Sequence, residues 1–284
     1  MKQLPKYEVQ TINERLYSRK FIDTYLHQEI RNNHDAEAKV QKGITLLDEW
    51  LSGDYYESKN KRLAQVTNLN LEQLVRDVFV ATTYCQQPEP FTSVTAQTAA
   101  KLNFSEKRDG IVTMAEIMAV LCETDAFDIW RASNNSMVIQ SALPLSDEMQ
   151  QFADQSDFLP PMVCKPQTLT KNSDSGYLTH NDSLILGKDT HHEGDICIDV
   201  LNKMNSVPLK LSTEFLSKVE EEPSSDINEV KNMDFKPYHV TQQQIRQKKE
   251  NWFKFKAQSH EFYKLMVKQG NRFYFTNKVD CRGR

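Results

Sequence analysis

Val40-Gln41-Lys42-Gly43-Ile44-Thr45-Leu46-Leu47-Asp48-Glu49-Trp50-Leu51-Ser52-Gly53 is the stretch whose reading settles the fold class. Val40, Ile44, Leu47, Trp50 and Leu51 return at the intervals that one buried stripe of an α-helix requires. Gly53 then reads as the stop, since a left-handed C-cap is least costly for glycine. The pattern repeats on both sides. Upstream it is Val9, Ile12, Leu16, Phe21 and Tyr25; downstream it is Leu71, Leu74, Val75, Val78 and Phe79, then Met114, Ile117, Met118, Val120 and Leu121. Thr92–Ala100 fits more weakly. Residues 8 to about 125 are therefore expected to be helical, with these stripes as core and no chemistry on them.

The chain has 284 residues, enough for one or two domains with a real core, and its 39% hydrophobic and 26% charged residues are those of an ordinary globular protein. MKQLPKYEVQ, the first ten residues, holds no apolar run of the signal-peptide kind, and no stretch approaches the roughly 18 apolar residues of a membrane span. Five scattered cysteines without a CxxC pair read as free thiols in a reducing cytoplasm. The net charge of −4 speaks mildly against nucleic acid. Its distribution does not: Lys236–Arg284 carries twelve Lys or Arg against three Asp or Glu, a net of +9, leaving −13 elsewhere. A basic working end on an acidic body fits that asymmetry, and so does a solvated helix face.

After Asp125 the texture changes. Phe127–Ile129 and Met137–Ile139 are short β-type runs around Arg131-Ala132-Ser133-Asn134-Asn135-Ser136, where an Asn-Asn pair tolerates positive φ and suits a hairpin tip. Leu159-Pro160-Pro161-Met162-Val163 cannot be helical. Residues 166–194 are polar and irregular apart from Leu184-Ile185-Leu186. Helical spacing returns at Val200, Leu201 and Met204 and at Leu211, Phe215 and Leu216, and Glu220–Asp226 reads as a linker. A long helix is expected from Val240 to about Gln269, with Trp252 and Phe253 as core, and Arg272-Phe273-Tyr274-Phe275 as a strand. His180, His191, His192 and Cys197 fit no compact zinc-ligand spacing.

The last five residues, Asp280-Cys281-Arg282-Gly283-Arg284, have a physical logic. Two planar, permanently charged guanidiniums suit phosphate or groove atoms, and the glycine between them admits close backbone approach. Asp280 could orient one guanidinium. By itself such a tail reads as a solvated terminus. Preceded by an aromatic strand, however, Asp-x-Arg-Gly-Arg resembles the motif that opens the palm of single-subunit, phage- and mitochondrial-type DNA-dependent RNA polymerases. Four upstream blocks follow in that family's order: Leu121–Arg131, Pro160–Pro166, Ser175-Gly176-Tyr177, and Leu201–Leu216, with Lys249, Asn251, Trp252 and Phe262 where the thumb approaches the palm. The resemblance spans roughly residues 115–284. It departs at Cys281, where phage members carry an aromatic, and at Gln167-Thr168-Leu169, where Pro-Trp-Thr is usual.

The resemblance implies a mainly α-helical (α+β) protein in four parts. Residues 1–157 form a helical N-terminal domain with the hairpin 127–139, and 158–235 an irregular connector with helices. Residues 236–270 form a thumb-like basic helix, and 271–284 a first palm strand joining the palm of a partner chain. It is similar to the small subunit of the two-chain RNA polymerases of N-four-like phages. On this reading no catalytic residue and no metal ligand lies in the chain. A large subunit with palm and fingers holds the Mg2+ ions, because two-metal phosphoryl transfer needs clamping carboxylates. Asp280, Arg282, Gly283 and Arg284, with Lys248 and Lys249, would contact template and RNA–DNA hybrid. Trp130, Arg131, Asn134, Asn135 and Met137 would place a hairpin at the upstream edge of the bubble. Further implied partners are DNA and a phage single-stranded-DNA-binding or recruitment factor, with no membrane, in the infected bacterial cytoplasm. The alternative is a polymerase-derived, non-catalytic nucleic-acid-binding or regulatory protein.

Overall fold

The computed structural model describes residues 4–133, 135–156, 159–187, 190–217, 242–280 and 282. Two compact units divide the chain: Ser18–Asp157, and Met1–Tyr17 together with Phe158–Arg284. Helix α1 (Lys6–Leu16) belongs to the second unit although it comes first in sequence. The architecture is mainly helical with one small antiparallel sheet. Among the described residues no helix is long and apolar enough to cross a membrane.

In the Ser18–Asp157 unit, α2 (Arg19–Asn32), α3 (His34–Leu51), α4 (Glu57–Val66) and α5 (Leu71–Thr83) are followed by strand β1 (Glu89–Pro90), α6 (Phe91–Thr98) and α7 (Lys107–Leu121). Helix α3 sits at the centre against α2, α5 and α7. Asn33 starts it by accepting from the backbone N–H groups of Asp35 and Ala36, the role that a short polar side chain plays at an N-cap. Ala36, Val40, Gly43 and Leu47 form its buried line, close to the expected stripe. At Gly43 an added β-carbon would stand 3.0 Å from both Leu121 and Val75. Gly43→Val should therefore lower the unfolding free energy by about 2–3 kcal/mol, as overpacking does. A urea midpoint unchanged from wild type would contradict that packing.

The sheet follows as β2 (Phe127–Arg131) and β3 (Met137–Ser141), with β3 in the middle, Ile129 opposite Ile139 and Pro90 opposite Val138. Phe127 and Ile139 fall on one face of the pleat and are fully buried, Phe127 meeting Phe79 edge-on at 6.3 Å. Helix α8 (Asp147–Gln155) closes the unit; Ser146 caps it, with Asp147 and Glu148 in the first turn. That Ser-Asp-Glu start is a legible helix signal absent from the sequence reading.

Two expectations about helix faces fail. Gly53 makes no left-handed cap; Ser52 ends α3 in right-handed conformation, and among the described residues the glycines with positive φ are Gly187 and Gly270. Gly53 instead leaves room for Tyr55, whose Oη would lie 2.6 Å from an added β-carbon and which donates to the Trp50 carbonyl. The stripe from Val9 to Tyr25 is not continuous either. The chain breaks at Tyr17-Ser18, Ile12 and Tyr25 are exposed, and α2 buries Ile22, Leu26 and Ile30. Helix α1 buries Gln10, Asn13 and Glu14.

Candidate nucleic-acid interface

The second unit contains α1, the irregular run from 159 to 197, α9 (Ile198–Asn205), α10 (Thr213–Leu216) and α11 (Gln242–Lys268). The segment Phe273–Asp280 is its spine. It begins where α11 ends in a Schellman turn: Gly270 (φ 91°) donates to the Val267 carbonyl and Asn271 to that of Met266. The Asn271 side chain then pairs with both backbone groups of Leu211. Phe273 exchanges backbone hydrogen bonds with Leu209, and Tyr274 with Met162, each at 2.8–3.0 Å. Val279 pairs in parallel with the 184–186 segment, donating to Leu184 and accepting from Leu186. Phe273, Tyr274 and Val279 are buried, each in its own small cluster: with Val163 and Met266, with Met162 and Cys164, and with Leu169, Leu184, Ile185 and Leu201.

An isolated strand would leave its backbone groups unpaired. Three separate backbone pairings inside the same chain meet this one, at Phe273, Tyr274 and Val279.

Glu14 fastens the loop beside that spine. Its carboxylate is fully buried and accepts from Gln10 Nε2, Leu178 N, Thr179 N and Thr179 Oγ1 at 2.6–2.9 Å, with His180 Nδ1 at 3.6 Å. Burial alone would raise its pKa. The donors outweigh that and hold it at about 2. Gln10 turns its Oε1 to the Val163 N–H, so both ends of its amide are used. The Ser175-Gly176-Tyr177 turn lies against Thr276; a β-carbon on Gly176 would stand 2.6 Å from the Thr276 methyl. Polar residues at 10, 13 and 14 have the same spacing as an apolar stripe, and that was the sequence signal for this buried face.

At the end of the spine, Asp280 grips Arg282. The Arg282 N–H donates to Asp280 Oδ1 at 2.9 Å, while its Nε and Nη2 donate to Oδ2 at 3.1 and 3.0 Å. The Arg282 side chain is 70% exposed, so the carboxylate fixes an orientation without hiding the charge. Gly283 and Arg284 lie outside the described residues, as do Cys281, Asn134 and the 220–226 linker.

Helix α11 carries seven Lys or Arg against Glu250 and Glu261, which pair with Arg246 and Lys264. Its C-terminal end packs, with Met266 buried and Phe262 against Tyr17 at 5.0 Å. Lys249 is exposed and Lys248 half-buried, roughly 25 Å along the axis from Met266 at 1.5 Å per residue. Phe253 was expected in the core. It is 52% exposed, and Phe255 is 60% exposed, while Trp252 in the same turn is half-buried.

The hairpin belongs to the other unit. Asn135 takes positive φ (67°) and accepts from Arg131 Nη1 at 2.8 Å, so the tip is braced by its own residues. Trp130 and Met137 are over a third exposed on opposite faces of the ribbon. Among the described residues no three His, Cys, Asp or Glu side chains gather to hold a metal ion. His191 instead meets Ser183 and Glu193, and His180 meets Glu14. The chain matches no family model and no curated protein.

Proposed function

We propose that this chain is the small subunit of a divided phage-type DNA-dependent RNA polymerase. It holds template and RNA–DNA hybrid while a large subunit, carrying palm and fingers, supplies the Mg2+ ions and the carboxylates of nucleotidyl transfer. The observation that carries the reading is the Asp280–Arg282 clasp. A planar guanidinium is fixed by a carboxylate at the end of a thrice-paired aromatic strand, in the motif Asp-x-Arg-Gly-Arg. Such a group offers preorganised donors to phosphate oxygens. The basic turn of α11, with Lys249 exposed and Lys248 half-buried, adds phosphate contacts along the hybrid. The braced hairpin, with Trp130 and Met137 exposed, suits a wedge at the upstream edge of a bubble. The place of action is the cytoplasm of an infected bacterium, with a phage single-stranded-DNA-binding or recruitment factor as a further partner.

A second reading has its own support. The aromatic strand is paired at three places within the chain. A stand-alone, non-catalytic nucleic-acid-binding or regulatory protein of polymerase descent would be built this way. Primer extension on a nucleic-acid scaffold decides between them. The purified chain is expected to extend nothing alone and to extend the primer once mixed with a chain bearing the palm carboxylates from the same genome. Oligonucleotide binding without extension in the mixture would favour the second reading.

A further inference from the structure

One turn of α11 reads Trp252-Phe253-Lys254-Phe255-Lys256. At 100° per residue its three rings fan across roughly 160° of the helix circumference. Trp252 and Phe255 lie with ring centroids 6.1 Å apart, and Phe253 points to a different side. Phe253 and Phe255 are more than half exposed, although the same helix buries Met266 three turns on. Single exposed apolar residues are ordinary on protein surfaces. Two exposed phenyl rings beside a half-buried indole, within four residues of the most basic helix in the chain, are not. Lys248 and Lys249 stand one turn before the rings, with Lys254 and Lys256 between and after them.

We infer that this turn is a stacking platform for the unpaired bases of a single nucleic-acid strand, with the flanking lysines on its phosphates. The charge selects a polyanion, and the rings select among polyanions. In a duplex the faces of the bases are already stacked on each other and cannot reach a phenyl ring. A single strand offers both phosphates and free faces, and it is held in just this way where aromatics interleave with basic groups. The occupant is thus unpaired DNA or RNA, beyond the phosphate tracking of paired hybrid proposed above. The inference rests on the nucleic-acid part of that reading alone and needs no second subunit.

Fluorescence anisotropy of the full chain with labelled oligothymidine, labelled oligouridine and a blunt DNA duplex, over a salt series, tests it. Phe253→Ala with Phe255→Ala should weaken single-strand binding about 10- to 100-fold without changing the salt slope. Phe253→Trp with Phe255→Trp should retain binding, and duplex affinity should not move. Lys248→Gln with Lys249→Gln should instead lower the single-strand slope by about 1.4. The platform is overturned if the double alanine variant binds single strands like wild type, or if duplex affinity falls equally. It is also overturned if the wild-type chain binds no oligonucleotide while anionic phosphatidylserine vesicles capture it, the behaviour of a basic membrane-surface helix. Normal oligonucleotide results with an inactive primer-extension mixture would remove the polymerase reading and leave the platform standing.

Discussion

Glu14→Gln is expected to lower the unfolding free energy by about 3–5 kcal/mol, a large share of the roughly 5–15 kcal/mol of a typical domain. The wild-type carboxylate offers two acceptor oxygens to four donors from three residues. An amide of the same shape keeps one oxygen and turns an NH2 towards groups that are themselves donors. Buried N–H groups at 178 or 179 then lose their partner, at about 1–3 kcal/mol each. The same carboxylate governs acid stability. Its folded pKa of about 2 lies below the ordinary 4.5, so its contribution is complete above pH 4.5 and disappears as the pH falls towards 2. Wild type should lose up to about 3 kcal/mol across that window from this group alone, and the glutamine variant should lack that component. Urea unfolding at pH 7 and pH 3 measures both. Equal midpoints at pH 7, or equal acid losses in the two proteins, would mean that Glu14 does not fasten the 178–179 loop.

Glu14 also marks where sequence reading stops. The helices of the Ser18–Asp157 unit were legible because their cores follow hydrophobic periodicity: Leu74, Val75, Val78 and Phe79 on α5 and Met114, Ile117, Met118 and Leu121 on α7 are all buried as the spacing demands. The hairpin was legible from its Asn-Asn tip, and Asn135 does adopt positive φ. The second unit has no such stripe. It is assembled from side chains that satisfy distant backbone groups: Gln10 to Val163, Asn202 to Leu169, Asn205 to Asn277, Asn271 to Leu211. Those pairings span 33 to 153 residues of sequence, which no local pattern records. On α1 the apolar residues were assigned the buried face, although Gln10, Asn13 and Glu14, at the same spacing, form it. Phe253 failed in the other direction. Helical spacing identifies a stripe but not which of its positions neighbouring structure covers, so the exposed ring at 253 looked like core.

Under the proposed function, with a palm-bearing second chain supplied, Arg282→Ala should cut elongation on a scaffold roughly 10- to 100-fold, the worth of one charge-assisted contact to a phosphate or hybrid oxygen. Lysine should not restore it, since an ammonium lacks the planar, forked donor set that Asp280 aligns. Asp280 acts through Arg282, which gives the two residues different signatures. Arg282→Ala removes a positive charge and should lower the salt slope of template binding by about one. Asp280→Asn leaves that charge in place but loosens the grip on Nε and Nη2, so the rate should fall by several-fold with no loss of salt slope. If Arg282→Ala elongates at the wild-type rate with an unchanged slope, the clasp is a surface ion pair of the kind that contributes little. The case for a polymerase would then have to stand without the residue pair that carries it. If the slopes separate as expected, a carboxylate that takes no part in the chemistry will have been shown to set the geometry of a group that does touch the nucleic acid.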